Sequence, residues 1–164
     1  MNDLLKDVEA VVGERGLLIG DDVRSRQAAW LRNEPMRGKA IVRPADTAET
    51  SAVLSICHAA GQTVVPLGGN TGLVDGTRAC DDDVLLSLER MNDIEDLDTV
   101  ACTMTVHAGV PLEKAQQAAE ARGLMLALDF GARGSATIGG AVSTNAGGNA
   151  VIRHGMAREQ VLGL

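Results

Sequence analysis

Two stretches of this chain carry residue types suited to holding an anionic ligand against backbone amides. The first is Thr63-Val64-Val65-Pro66-Leu67-Gly68-Gly69-Asn70-Thr71-Gly72-Leu73-Val74-Asp75-Gly76. Three β-favouring residues run into a proline, and glycines follow at 68, 69, 72 and 76. Glycine admits positive φ and lets a ligand approach the backbone without meeting a Cβ. A turn of this kind can aim consecutive N–H groups into one concavity, a nest for an anion such as a pyrophosphate. Asn70 and Thr71 add side-chain donors beside those amides. Taken alone, the Gly-Gly pair is explained as well by a plain turn between two strands.

The loop is neither of the two common nucleotide signatures. A Walker A loop needs Gly-Lys-Ser/Thr, and no lysine follows here. A dinucleotide fingerprint needs Gly-x-Gly-x-x-Gly opening a helix, whereas Thr77-Arg78-Ala79-Cys80-Asp81-Asp82-Asp83 has no helical apolar stripe. A phosphate bound here would be held by loop amides and not by a helix dipole.

The second stretch runs from Leu128 to Gly148, with six glycines between 131 and 148 set among Ser, Thr and Asn. Glycine weakens a continuous helix and a continuous strand alike. A short helix near 137–145 fits, with Thr137 as its N-cap and the Gly139-Gly140 pair allowing close packing. Two backbones crossing tightly would explain the Gly-Gly pairs. The small polar residues between them are what a ligand-lining backbone would use.

The positioning elements follow from periodicity. Leu4, Leu5, Val8, Val11 and Val12 repeat at helical spacing, ended by Gly13 or Gly16. Residues 20–39 read as polar and irregular, with Trp30 the one large apolar side chain. Ala40-Ile41-Val42 is a short buried strand stopped by Pro44. Asp46-x-x-Glu49 resembles a capping box, and Val53, Ile56, Cys57 and Ala60 line one face of the helix that follows, with Gly61 at C′. Thr63-Val64-Val65 then completes a β-α-β unit, so strands 40–42 and 63–65 are expected to be parallel with a right-handed crossover. The first glycine loop leaves the carboxyl end of the second strand, where ligands sit in α/β sheets. Val84 to Leu88 is a third strand. Asp93 to Asp98 reads as a solvated acidic connection, and Val100 to Val106 alternates strictly as a strand covered on one side. Pro111 fits N1 of a helix through Arg122, with Gly123 at C′.

Composition narrows the classes. At 164 residues the chain suits one domain, able to bury ~70% of its extended surface. Trp30 and Phe130 are the sole aromatics, so the core must be aliphatic. A net charge of −7 argues against a nucleic-acid surface. Cys57, Cys80 and Cys102 have no Cys-x-x-Cys spacing and read as reduced thiols, not metal ligands. The N-terminus from Met1 to Asp7 is acidic, without a secretory or transit pattern, and no apolar run approaches the ~20 residues of a membrane span. A soluble, cytoplasmic protein is expected.

The two motifs together carry a family resemblance. Pro66-Leu67-Gly68-Gly69-Asn70-Thr71-Gly72-Leu73 and Asp129-Phe130-Gly131-Ala132-Arg133-Gly134-Ser135-Ala136-Thr137-Ile138-Gly139-Gly140-Ala141-Val142-Ser143-Thr144-Asn145-Ala146-Gly147-Gly148 resemble the FAD-linked oxidases of the vanillyl-alcohol oxidase / p-cresol methylhydroxylase superfamily. The branch most similar is that of the D-lactate, glycolate and D-2-hydroxyglutarate dehydrogenases. The similarity runs in order from about Ile41 to Leu164. It implies an α+β fold, a PCMH-type FAD-binding domain of two α+β subdomains, the second truncated here. The division expected is 1–39 as a variable N-terminal helix and connection, 40–98 as the first subdomain and 99–164 as the start of the second.

The resemblance also implies FAD as cofactor. It places Pro66, Gly68, Gly69, Asn70, Thr71, Gly72 and Leu73 around the pyrophosphate. Asp129, Gly131, Ser135, Thr137, Ile138, Gly139, Gly140, Thr144, Asn145 and Gly148 fall near the flavin and the rest of the pyrophosphate. Three positions depart from the family pattern: Leu67 where a longer polar or basic residue is frequent, Ala141 where asparagine is usual, and Asp75 where glycine is common. The implied chemistry is hydride transfer from the Cα–H of a D-2-hydroxy acid to flavin N5, with electrons passing to a separate acceptor. Alternatives are another FAD-linked alcohol oxidase of the superfamily, or a non-enzymatic fragment that keeps the fold. The relatives are longer and carry their catalytic and metal-ligating histidines in the later part. His58, His107 and His154 do not match those, so no catalytic or metal residue is assigned, and the 164 residues alone are expected to be inactive.

Overall fold

The apolar runs Ala40–Val42 and Val84–Ser87 are strands buried along their whole length, as parallel strands covered on both faces are. The computed structural model describes residues 3–29 and 32–164. Trp30 lies outside the described residues, as do Met1 and Asn2. The chain divides into two compact units, Met1–Met91 and Asn92–Leu164.

The first unit contains α1 (Asp3–Val12), β1 (Leu17–Leu18), α2 (Asp21–Arg24), β2 (Gln27–Ala29), β3 (Arg32–Pro35), β4 (Ala40–Val42), α3 (Thr47–Ala59), β5 (Val64–Leu67) and β6 (Val84–Ser87). Its main sheet has the order β1-β4-β6-β5. Both β4 and β5 pair in parallel with β6, in registers Ala40↔Val84 and Val64↔Val84. The two strands of the expected β-α-β unit are therefore parallel, and the third strand lies between them. Side chains alternate across the pleat. Ala40, Val42, Val84 and Leu86 pack with Leu5, Val8 and Val12 of α1 and Val53 and Cys57 of α3. Ile41 and Leu85 pack on the opposite face with Val23, Met36, Leu67 and Ala79.

Helix α3 starts and stops by side-chain and backbone chemistry. Asp46 Oδ1 accepts the Glu49 amide at 2.8 Å, and Glu49 Oε2 accepts the amide of Ala45 at 2.7 Å, one residue before the partner of a standard capping box. At its end Gly61 has φ 61°, its amide donates to His58 O and Gln62 N to Cys57 O, a Schellman motif. Ala60, expected on the apolar face, is exposed because it stands past the last helical turn.

The stretch 20–39, read as irregular, contains α2 and the antiparallel hairpin β2–β3. These elements are too short to show a period. Burial of Val23 and Met36 and a charge network hold them instead. Arg26 forks onto Glu89 at 2.7 and 2.8 Å, and Arg43 Nη1 reaches the same carboxylate at 3.0 Å. With Arg26 donating most strongly, the Glu89 carboxyl is lowered to about 2.

The second unit contains β7 (Ile94–Asp98), β8 (Thr103–Val106), α4 (Leu112–Glu120), α5 (Ile138–Ser143) and α6 (Val151–His154). The acidic connection expected at 93–98 is thus a strand, paired antiparallel with β8. The strand expected from Val100 begins at Thr103, and Val100 is 94% exposed. The reason is the turn between them. Asp98 Oδ1 accepts the amides of Val100 and Ala101 at 2.8 and 3.0 Å, and Cys102 turns left-handed at φ 55°. Those two bonds hold the Asp98 carboxyl below its ordinary range. Pro111 is the N-cap of α4 and not its first helical residue, and Gly123, at φ 72°, closes the helix end. Leu112, Leu128, Ala141 and Ala157 form the core, with Phe130 half-buried against it.

Candidate functional site

In the first unit, β5 ends at Leu67 and the chain enters a turn with Asn70 at φ 54° and Asp75 at φ 56°. Asparagine and aspartate are the non-glycine residues that tolerate this region best. Among the described residues, the amides of Gly69, Asn70, Thr71, Gly72 and Leu73 donate to no acceptor within the protein. All five residues are half-exposed or exposed, so water or a ligand reaches them. A Cβ added at Gly72 or at Gly76 would meet nothing within 4 Å. These glycines are not there to fit protein packing.

The Asn70 side chain is committed inward. Its Nδ2 donates to the Gln27 carbonyl at 3.0 Å, and Thr77 Oγ1 donates to its Oδ1 at 2.7 Å. Of the two side-chain donors expected beside the amides, Thr71 has no such internal partner among the described residues. Pro66 is exposed in β5 and pairs opposite Leu86.

In the second unit the glycines divide by task. A Cβ at Gly148 would lie 1.9 Å from Asp129 O, and one at Gly139 would lie 2.7 Å from Ala108 Cβ and 2.8 Å from Ala108 O. Both are places where backbones cross too closely for a side chain. At Gly131 a Cβ would meet nothing within 4 Å, and Gly131 and Ser135 stand exposed on the turn that precedes α5.

Thr137 caps α5 by accepting the Gly140 amide at 3.2 Å. The amides of Ile138 and Gly139 donate to Val110 O and Ala108 O, both at 2.8 Å. The first amides of α5 are therefore already used inside the unit. Thr144 Oγ1 bonds back to Gly140 O at 2.9 Å, and Asn145, at φ 49°, accepts the Arg158 amide at 3.0 Å. Asp129 Oδ1 takes Arg133 Nη1 at 3.1 Å. Free backbone donors among the described residues of this segment include Leu128 to Ala132, Gly134, Gly147 and Gly148.

A family model described as an FAD binding domain matches residues 38–164. The chain belongs to that FAD-binding family. Its cofactor is FAD. The D-2-hydroxyglutarate dehydrogenase of Xanthomonas citri pv. viticola is 46% identical over 135 residues, which cover 82% of this chain and 29% of that protein. The chain thus spans about three-tenths of the length of that relative. Among solved structures, an alkyldihydroxyacetonephosphate synthase superposes with a TM-score of 0.86 at 16% identity, over 99% of this chain and 32% of its own. The p-cresol methylhydroxylase with substrate bound superposes with a TM-score of 0.72 at 20% identity, over 89% and 29%. These two likenesses establish the α+β fold of the PCMH type, as the resemblance implied.

The residues present fit the cofactor. FAD carries a pyrophosphate, and five consecutive amides without an acceptor among the described residues are donors of the kind such an anion takes. A charge-assisted bond of this kind contributes ~1.5–3 kcal/mol. Asp75 is half-exposed, with its carbonyl taking the Arg78 amide at 3.0 Å. The histidines hold ordinary places: His58 is exposed in α3, His154 ends α6, and His107 Nε2 pairs with Glu95 Oε1 at 2.8 Å. Among the described residues no cluster of three His, Cys, Asp or Glu could hold a metal ion. No helix among them is long and apolar enough to cross a membrane.

Sequence reasoning missed Gln27 and Thr77, which hold Asn70, and Ala108 and Val110, whose carbonyls take the first amides of α5. Only Thr77 carried a usable signal, a hydroxyl directly after the last glycine of the loop. The other three act through backbone carbonyls, which any residue supplies.

Proposed function

We propose that this chain is the FAD-holding portion of a flavin-dependent dehydrogenase of D-2-hydroxy acids, with D-2-hydroxyglutarate as the first substrate to test. The observation that carries the reading is the 46% identity to a D-2-hydroxyglutarate dehydrogenase over 82% of this chain. When bound, the flavin supplies the hydride acceptor for the Cα–H of the substrate. The chain's own contribution is positional. The amides of Gly69 to Leu73 hold the pyrophosphate, with Pro66 and Gly68 setting the approach to the turn. Asp129, Gly131, Ser135, Thr137, Ile138, Gly139, Gly140, Thr144, Asn145 and Gly148 form the wall of the second segment. Among these, Gly139 and Gly148 act by allowing close backbone contact, and Thr137 and Asn145 by capping α5 and anchoring the segment after it.

Removing a hydride from Cα also requires a base on the hydroxyl proton and groups that fix the carboxylate. We assign neither to these residues. The 2-hydroxy acid is accordingly expected to contact other parts of the protein, and the natural electron acceptor is a separate molecule. A cytoplasmic location belongs to the same proposal, supported by three cysteines that are all free thiols. The subdivision into a lead-in to residue 39, a first subdomain to 98 and a second beyond it is proposed on the family resemblance.

The test is turnover of the protein at its natural length, loaded with FAD and given an artificial electron acceptor. D-2-hydroxyglutarate, D-lactate and glycolate are compared with their L or unreactive counterparts. Oxidation of D-2-hydroxyglutarate well above free flavin supports the reading. Absence of turnover on all three substrates, with FAD bound, refutes it.

A further inference from the structure

We infer that Thr77 is a positioning residue for the cofactor loop, acting through Asn70, and that the hairpin β2–β3 is its brace. The inference rests on the reading of Gly69–Leu73 as the pyrophosphate loop. Those amides can serve an anion only if the turn keeps them together while no internal bond does so. The order of that backbone must come from somewhere else.

A side chain ties the turn laterally. Asn70 sits at its centre in the left-handed region, φ 54°. Its amide nitrogen donates to the Gln27 carbonyl of β2 at 3.0 Å, across 43 positions of sequence. Its carbonyl oxygen accepts from the Thr77 hydroxyl at 2.7 Å, where the loop returns. An asparagine amide can rotate to exchange its N and O. A threonine hydroxyl can donate to the amide oxygen or accept from the NH₂, but a carbonyl only accepts, so only the orientation with O towards Thr77 leaves NH₂ facing the Gln27 carbonyl. The Gln27 carbonyl selects this amide orientation, and Thr77 holds it by donating to the oxygen it presents. Thr77 closes the turn from the far side, seven residues on.

Neither Thr77 nor Gln27 accepts from the amides of Gly69 to Leu73. Their effect on cofactor binding is indirect, through preorganisation. A neutral hydrogen bond of this kind changes an equilibrium roughly three- to tenfold.

The experiment is FAD titration of the apoprotein at its natural length, with its thermal midpoint measured alongside. Wild-type uptake of FAD establishes the reading on which the inference rests, and failure of the wild type to take up FAD overturns both. Thr77→Val keeps the shape and removes the donor. It should weaken FAD roughly three- to tenfold while leaving the apoprotein midpoint unchanged, and Thr77→Ser should restore wild-type affinity. In an Asn70→Gly background, which keeps the left-handed turn without the amide, T77V should cause no further loss. Wild-type affinity in T77V, or an undiminished effect of T77V in the N70G background, overturns the inference while leaving the reading intact.

Discussion

Four glycines of the two glycine-rich segments should separate cleanly into two pairs when each is changed to alanine. Gly148 and Gly139 stand against other backbone. The added Cβ at 148 would be 1.9 Å from Asp129 O and 2.7 Å from Asp129 C, and at 139 it would be 2.8 Å from Ala108 O. Contact between carbon and oxygen needs about 3.4 Å, so at 148 two chain segments must part by more than 1 Å, and neither end is a flexible side chain. Overpacking against side chains costs ~1–3 kcal/mol, and backbone yields less readily. We expect Gly148→Ala to destabilise the apoprotein by roughly 3 kcal/mol or more and Gly139→Ala by roughly 2–3 kcal/mol. Gly72 and Gly131 have nothing within 4 Å of the built Cβ and no left-handed φ. Alanine there adds no strain, and by restricting the unfolded chain it stabilises by up to ~0.5–1 kcal/mol. The methyl would instead occupy space the cofactor needs, with an expected loss of roughly tenfold in FAD affinity, about 1.4 kcal/mol. Urea unfolding of the apoproteins and flavin titration read the two quantities separately. Gly148→Ala with wild-type stability would refute the backbone crossing. Gly72→Ala and Gly131→Ala with wild-type FAD affinity would show that the open space is not the cofactor's.

Two further outcomes are expected. Gly69→Val should abolish FAD binding with the circular dichroism spectrum retained, because two methyls stand where the pyrophosphate meets the backbone; wild-type affinity would mean that the loop is only a turn. Glu89 is held at about 2 by Arg26 and Arg43 against an ordinary 4.5. Its contribution is present above about pH 4.5 and lost as pH falls towards 2. Its side chain is 37% exposed, so after screening the effect amounts to roughly 1–2 kcal/mol. Stability curves of wild type and Glu89→Gln between pH 6 and 2.5 should converge at the acid end, and parallel curves would contradict the network.

Much of the scaffold was legible because it obeys local rules. Asp46, Gly61, Thr137 and Gly123 cap helices where their types predict, and the buried strands 40–42 and 84–87 announce themselves as unbroken apolar runs. The hairpin β2–β3 was not legible. Its strands of three and four residues show no alternation, and what holds the surrounding segment is distant, the fork of Arg26 onto Glu89 being 63 positions away. The turn at 99–102 was misread for the opposite reason. Val100, Cys102, Met104 and Val106 alternate perfectly, yet Asp98 takes two amides out of the strand and Val100 points to solvent. A local side-chain bond outcompeted the pattern.

The candidate site shows the same limit at finer scale. Glycine spacing marked both segments, but spacing cannot say whether a missing Cβ makes room for protein or for ligand. The neighbours decide. Gly139 lacks a side chain because Ala108 is there, and Gly148 because Asp129 is there. Gly72 and Gly131 lack one with nothing of the protein nearby. The amides divide in parallel: those opening α5 go to Ala108, Val110 and Thr137, while those of Gly69 to Leu73 have no partner among the described residues. The small polar residues behave likewise. Thr137, Thr144 and Asn145, which by type could line a ligand, spend their oxygens on Gly140 N, Gly140 O and Arg158 N. Unsatisfied donors beside empty space are costly in a folded protein unless water or a ligand supplies the acceptor. Among the described residues the first loop combines a run of five such donors with Gly72 and Gly76, which face no protein, and the run Leu128 to Ala132 does the same around Gly131. The free amides thus lie in the loop after β5 and in the turn around Gly131, and the capping and crossing contacts in the segment around α5.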